Sequence, residues 1–165
     1  MEILTHPNPV LKQHAMDVDI AHDSDLRALV RTMAGAMYEF SGVGLAAPQI
    51  GVAKRVIVFD VEDQLSALVN PVIVERADET VTDEEGCLSV PGISVPIARA
   101  EWVVCNGVTL EGKEVTLRAD DFLARVLQHE IDHLDGVLIL DRLDLPERKE
   151  AIKAYNAVNQ SQRLG

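Results

Sequence analysis

The chain has 165 residues, 47% of them hydrophobic, which suits one domain with a real core and no need of disulfides. A formal net charge of −12 and only 4% aromatic residues argue against nucleic-acid binding, which wants a basic face and stacking platforms. No apolar run is long enough to span a membrane, and Met1-Glu2-Ile3-Leu4 lacks the basic lead and apolar run of a signal peptide, so a cytoplasmic protein is expected.

In chain order, His6-Pro7-Asn8-Pro9 reads as a turn-rich arm, with His6, His14 and His22 in solvent. Asp23-Ser24-Asp25 supplies a cap for a helix whose buried stripe is Leu26, Leu29, Val30, Met33 and Met37. Ser41-Gly42-Val43-Gly44 ends that helix. Short β-branched runs at 55–60 and 67–74 predict strands, and an acidic stretch at 78–85 leads to Cys87. Further strands are expected at 93–95, 101–105, 108–110 and 114–117, with turns at Pro91-Gly92, Asn106-Gly107 and Glu111-Gly112-Lys113. Cys105 reads as a small core residue.

Phe122, Val126, His129 and His133 then follow one face of a helix, capped by Asp120 or Asp121 and stopped by Gly136, with Leu123 and Leu127 anchoring another side. An apolar stretch at 137–140 is expected to be buried. Pro146 opens a closing helix over 147–162, where Ala151, Ile152, Tyr155 and Val158 keep a helical period. Its segment carries Arg148, Lys149, Lys153 and Arg163 against Glu147 and Glu150, ordinarily a solvated face. The expected fold class is α+β: small, mostly antiparallel sheets wrapped around a central metal-binding helix, with an N-terminal and a C-terminal helix, in one domain over 1–165.

The chemistry concentrates in Gln128-His129-Glu130-Ile131-Asp132-His133. Two imidazoles four residues apart on one helical face can hold one divalent metal, and Glu130 lies beside it as a candidate general base. A catalytic site of this kind needs a third protein ligand and one open position. Ile139 stands where one known continuation of the motif has a third histidine, and Glu147 and Glu150 are the downstream glutamates, in a polar tail after Pro146. Upstream, Glu85-Gly86-Cys87-Leu88-Ser89 offers a thiolate, a strong ligand for zinc or ferrous iron. An internal-bond metallopeptidase and a purely structural metal site are the competing readings.

Together with Gly42-Val43-Gly44-Leu45-Ala46-Ala47-Pro48-Gln49, these stretches make three motifs in order, and the chain resembles the peptide deformylases, which end in a helix in one bacterial type. The resemblance implies Cys87, His129 and His133 as metal ligands, Glu130 as the base, and the Gln49 amide with the Leu88 N–H as donors to the charged oxygen of the transition state. It implies one divalent ion per chain, Fe2+ in the cell and Zn2+, Ni2+ or Co2+ in preparations. The substrate would be N-formylmethionyl nascent peptides, bound beside Val43 and Gly44 by strand addition. Val43, Phe122 and Val126 are the candidates to receive the methionine side chain. Arg125 stands where some family members are apolar; its stem would line the pocket with its charge in solvent. Arg99 is a candidate substrate contact, or it pairs with Glu85 to fix the cysteine loop. The closing helix is a candidate for transient ribosome contact.

Overall fold

A computed structural model describes residues 2–164, with side chains through Gln160. The helices are α1 (Leu26–Glu39), α2 (Asp121–Leu134) and α3 (Leu145–Leu164). The strands are β1 (Gly44–Ala46), β2 (Val56–Val61), β3 (Gln64–Arg76), β4 (Thr80–Cys87), β5 (Val90–Ala100), β6 (Trp102–Val108) and β7 (Glu114–Asp120). All named strand pairs are antiparallel, in a five-stranded sheet of order β1-β2-β3-β6-β7 and a separate β4-β5 hairpin.

Alternation along β2 explains how the large sheet sits between two helices. Ile57 and Phe59 face the cluster with Leu127, Ile131 and Leu134 of α2, whereas Val56 and Val58 face Val30, Met33 and Met37 of α1. A strand covered on both faces reads as a continuous apolar run, as Val-Ile-Val-Phe does here. A third cluster joins Val95 and Ile97 of β5 to Ile139 and Leu140 and to Ala151 and Tyr155 of α3. Thus α2 is central, with the sheet on one side and the hairpin on another.

Gly136 stops α2 in a left-handed turn at φ 75°, and a Cβ there would lie 2.5 Å from the Lys12 carbonyl oxygen. The expected aspartate caps are not formed: neither Asp25 at α1 nor Asp120 at α2 makes a side-chain cap bond. Asp23 instead accepts from Lys54, binding the helix entry to the loop before β2.

Other expectations shift. Asn106-Gly107 lies inside β6, where Gly107 pairs with Val115, and the reversal comes at Gly112, φ 83°. The hairpin turn is at Leu88-Ser89 rather than Pro91-Gly92, and the acidic stretch forms most of β4. His6 is half-buried with its ring edge-on to Tyr155, so it is not a solvated histidine; His14 and His22 are exposed.

Candidate metal centre

Helix α2 and the β4 end bring three ligand atoms together. Cys87 Sγ lies 3.4 Å from His133 Nε2, which lies 3.2 Å from His129 Nε2, and all three fall within 4.8 Å of one another. Two imidazole nitrogens and a sulfur aimed at one point have too few hydrogens to satisfy each other, and the donor set suits zinc or ferrous iron. Burial and the neighbouring His129 charge hold His133 well below its usual pKa, which leaves a neutral ring with a free lone pair. Burial also disfavours charge on His129, but Glu130, Cys87 and Glu85 outweigh it and raise its pKa. That surplus of negative groups is what a dication would neutralise. Glu147 and Glu150 lie on α3 away from this cluster, along a groove with β5.

His129 is oriented from behind by its Nδ1, 2.6 Å from Glu85 Oε1. Arg99 holds both Glu85 oxygens, at 3.0 Å from Nε and 2.8 Å from Nη2, and reaches Asp132 through Nη1 at 2.6 Å. Burial works against a charged Glu85, yet the His129 and Arg99 hydrogen bonds outweigh it and keep the carboxyl well below its ordinary range. Arg99 therefore stands behind the ligand, and it is not among the residues lining the cleft. Gln128, preceding His129, grips the N–H and carbonyl of Ala100 and docks α2 onto β5.

Glu130 is 4% exposed, and its Oε1 has no hydrogen-bond partner among the described residues. Burial pushes its carboxyl up to about 7, a value suited to exchanging protons near neutrality. Gln49 is equally enclosed. Its Oε1 accepts from the Ala46 N–H at 2.9 Å, so the amide cannot turn over, and Nε2 donates to Ser89 Oγ at 3.0 Å with Cys87 Sγ at 3.9 Å. Ser89 and Asp132 were not assigned roles from sequence, although both lie inside the motifs that flagged their neighbours.

Gln49, Cys87, His129 and Glu130 line a cleft of about 780 Å³ bounded by Val43, Gly44, Leu88, Phe122, Val126 and Ile93 among others. β1 is the end strand of its sheet, so one edge of it is unpaired beside this opening. Arg125 also lines the cleft, but its charge does not reach solvent: the guanidinium is buried against Glu85 and the Val81 and Ile97 carbonyls. The expectation of a solvated charge fails because a buried carboxylate is within reach.

The family model for polypeptide deformylase matches residues 1–149. This chain belongs to that family. Members are metal-dependent hydrolases that remove the N-formyl group from nascent peptides. The peptide deformylase of Acidothermus cellulolyticus is 47% identical over 147 residues, covering 89% of this chain and 81% of that protein. That of Dictyoglomus thermophilum is 49% identical over 141 residues, covering 86% and 91%. The crystal structure of a peptide deformylase from Legionella pneumophila superposes with a TM-score of 0.91 at 37% identity, covering 98% of this chain and 96% of the other. One from Ehrlichia chaffeensis in complex with actinonin gives 0.89 at 35% identity, covering 95% and 96%.

Proposed function

We propose that Cys87, His129 and His133 hold one divalent ion, and that around it this chain hydrolyses the formyl amide of N-formylmethionyl peptides. The observation that carries this is the meeting of those three ligand atoms beside Glu130, whose buried Oε1 lacks a partner among the described residues. A divalent cation held by Cys87, His129 and His133 would supply Lewis acidity to the formyl carbonyl and would lower the pKa of water toward neutrality. Glu130 takes that proton and returns it to the departing nitrogen, because the amine must leave neutral. Gln49 Nε2 has a second hydrogen beyond the one given to Ser89, now directed at Cys87 Sγ at a long 3.9 Å, and with the Leu88 N–H it meets the oxygen that gains charge. Val43 and Gly44 receive the peptide backbone along the open edge of β1, while Phe122 and Val126 receive the methionine side chain.

The thiolate suits ferrous iron or zinc, and the family resemblance favours ferrous iron in the cell, with zinc, nickel or cobalt substituting in preparations; the thiolate also exposes Cys87 to oxidation. Metal analysis of anaerobically purified protein checks that choice. Among the described residues, no helix is long and apolar enough to cross a membrane; the proposed site of action is the cytoplasm, where the family's nascent-peptide substrates are made. Ribosome contact through α3 would use exposed Lys149 and Lys153, since Ala151 and Tyr155 are committed to the core. The Arg163 side chain lies outside the described residues. Unchanged cosedimentation of a Lys149→Glu, Lys153→Glu variant with ribosomes would remove that contact.

The decisive experiment is formate release from formyl-Met-Ala-Ser by iron-loaded protein, with metal-retaining Glu130→Ala alongside. Release abolished by the substitution supports the reaction and its base together; no release from folded, metallated wild type overturns both.

A further inference from the structure

The three metal ligands belong to two bodies. Cys87 ends β4 in the small hairpin, which does not pair with the large sheet, while His129 and His133 ride on α2. Their separation therefore depends on whatever fastens hairpin to helix.

Arg125 is one helical turn before His129, and its guanidinium crosses to both strands of the hairpin. Nη1 donates to Glu85 Oε2 at 2.6 Å and to the Ile97 carbonyl at 2.9 Å, and Nη2 donates to the Val81 carbonyl at 2.7 Å. One side chain of α2 thus grips β4 twice and β5 once. Glu85, two residues before Cys87, is shared between Arg125 and His129, so the helix holds this carboxylate at two points a turn apart.

We infer that Arg125 is a positioning residue that, beside the Gln128–Ala100 and Asp132–Arg99 ties between the same elements, holds the Cys87 end of the hairpin at its distance from the helix carrying the two histidines. The hydrogen-bond pattern separates this role from that of Arg99. Arg99 reaches both oxygens of Glu85 by itself, so Glu85 keeps a charged partner when Arg125 is removed. What only Arg125 supplies is the tie from α2 to the Val81 and Ile97 carbonyls. Its planar fork meets three acceptors at once, which a lysine ammonium on a flexible stem cannot match in geometry.

The inference rests on the metal-ligand reading, and cobalt(II) tests it without recourse to turnover. Cobalt affinity is measured by competition with a chromophoric chelator, and the thiolate-to-cobalt absorption band reports whether Cys87 is in place. Arg125→Met keeps an apolar stem of similar length; it is expected to retain its circular dichroism, bind cobalt about 10- to 100-fold more weakly, and show a diminished or shifted thiolate band. Arg125→Lys should fall between this variant and wild type. Wild-type affinity and spectrum in Arg125→Met, whatever its melting temperature, would make Arg125 a packing residue only. If Arg125→Met does not fold, Arg125→Lys decides, and wild-type cobalt binding in it overturns the inference. A wild-type protein with no thiolate band would instead sink the ligand assignment on which this rests.

Discussion

Adding one methyl group at Gly44 should disable the base without touching it chemically. An ideal Cβ on Gly44 would lie 2.5 Å from Glu130 Oε2 and 2.9 Å from both Cδ and Cγ of the same side chain. Ordinary contact between such atoms is about 3.5 Å, so Glu130 or β1 must retreat by roughly 1 Å. Glu130 is 4% exposed and lines the cleft, so any retreat carries it away from its place beside the cluster, and β1 is held to β2 through Gly44, Leu45 and Ala46. A misplacement of about 1 Å in a catalytic group lowers turnover by about 100-fold, and overpacking costs about 1–3 kcal/mol of stability. Gly44→Ala is therefore expected to lose about two orders of magnitude in kcat for formyl-Met-Ala-Ser while keeping its three metal ligands. Formate release is measured at matched metal content, with thermal melting as the control. A kcat indistinguishable from wild type in fully metallated Gly44→Ala would refute the placement of Glu130 as the base.

Gln49→Leu should keep its metal and lose about 100-fold or more in kcat, because the donor to the oxyanion is gone; near-normal turnover would remove Gln49 from that role. Burial raises the Glu130 carboxyl to about 7, and a bound dication favours the carboxylate, so kcat/KM should rise with pH through an acid limb at or below 7. A rate that falls as pH rises through that range would contradict a carboxylate base. Burial opposes charge on Asp141, but the Leu138 N–H and Lys12 outweigh it, with Arg148 adding to them, and depress its pKa. Its contribution to stability is then full above the ordinary aspartate value of about 3.9 and disappears as pH falls through the lower folded value. Asp141→Asn should flatten that acid limb in urea titrations, and an unchanged limb would show that the ion pairs do not matter.

Local periodicity made α2 and the face that carries His129 and His133 legible, because the residues that set this period lie within the helix. The alternation in β2 was equally clear. β4 was missed as a strand because residues Thr80–Glu84 are all exposed and carry no alternating apolar signal. Asn106-Gly107 has strong turn chemistry, yet the sheet overrides it: a Cβ on Gly107 would lie 3.2 Å from Leu68 Cδ2, and Asn106 accepts a hydrogen bond from Thr116 across the ladder. At α1 the local aspartate bond falls two residues earlier than the helix cap, Asp23 Oδ1 accepting from the Asp25 N–H while its Oδ2 accepts from Lys54, far along the chain.

The least legible part of the site is the buried charge around Glu85. Arg99, Arg125 and His129 reach it from 14, 40 and 44 residues away. No local pattern announces such pairings, and a lone arginine on a helix reads by default as exposed. Burying ions is a poor route to stability, because an apolar cluster of similar volume commonly does as well or better. Stability is thus a weak reason for two arginines to enclose one carboxylate behind a proposed metal ligand. Orientation is a stronger one: Glu85 must stay ionised to fix the His129 ring with Nε2 facing the cluster, and a carboxylate in this enclosure stays ionised only if cations attend it. Asp132 extends the same logic, accepting from Arg99 and from Arg142, so the charges behind the ligand are mutually committed. The motif aspartate between Glu130 and His133 therefore faces away from the cluster's ligands and serves the arginine that holds their orienting carboxylate.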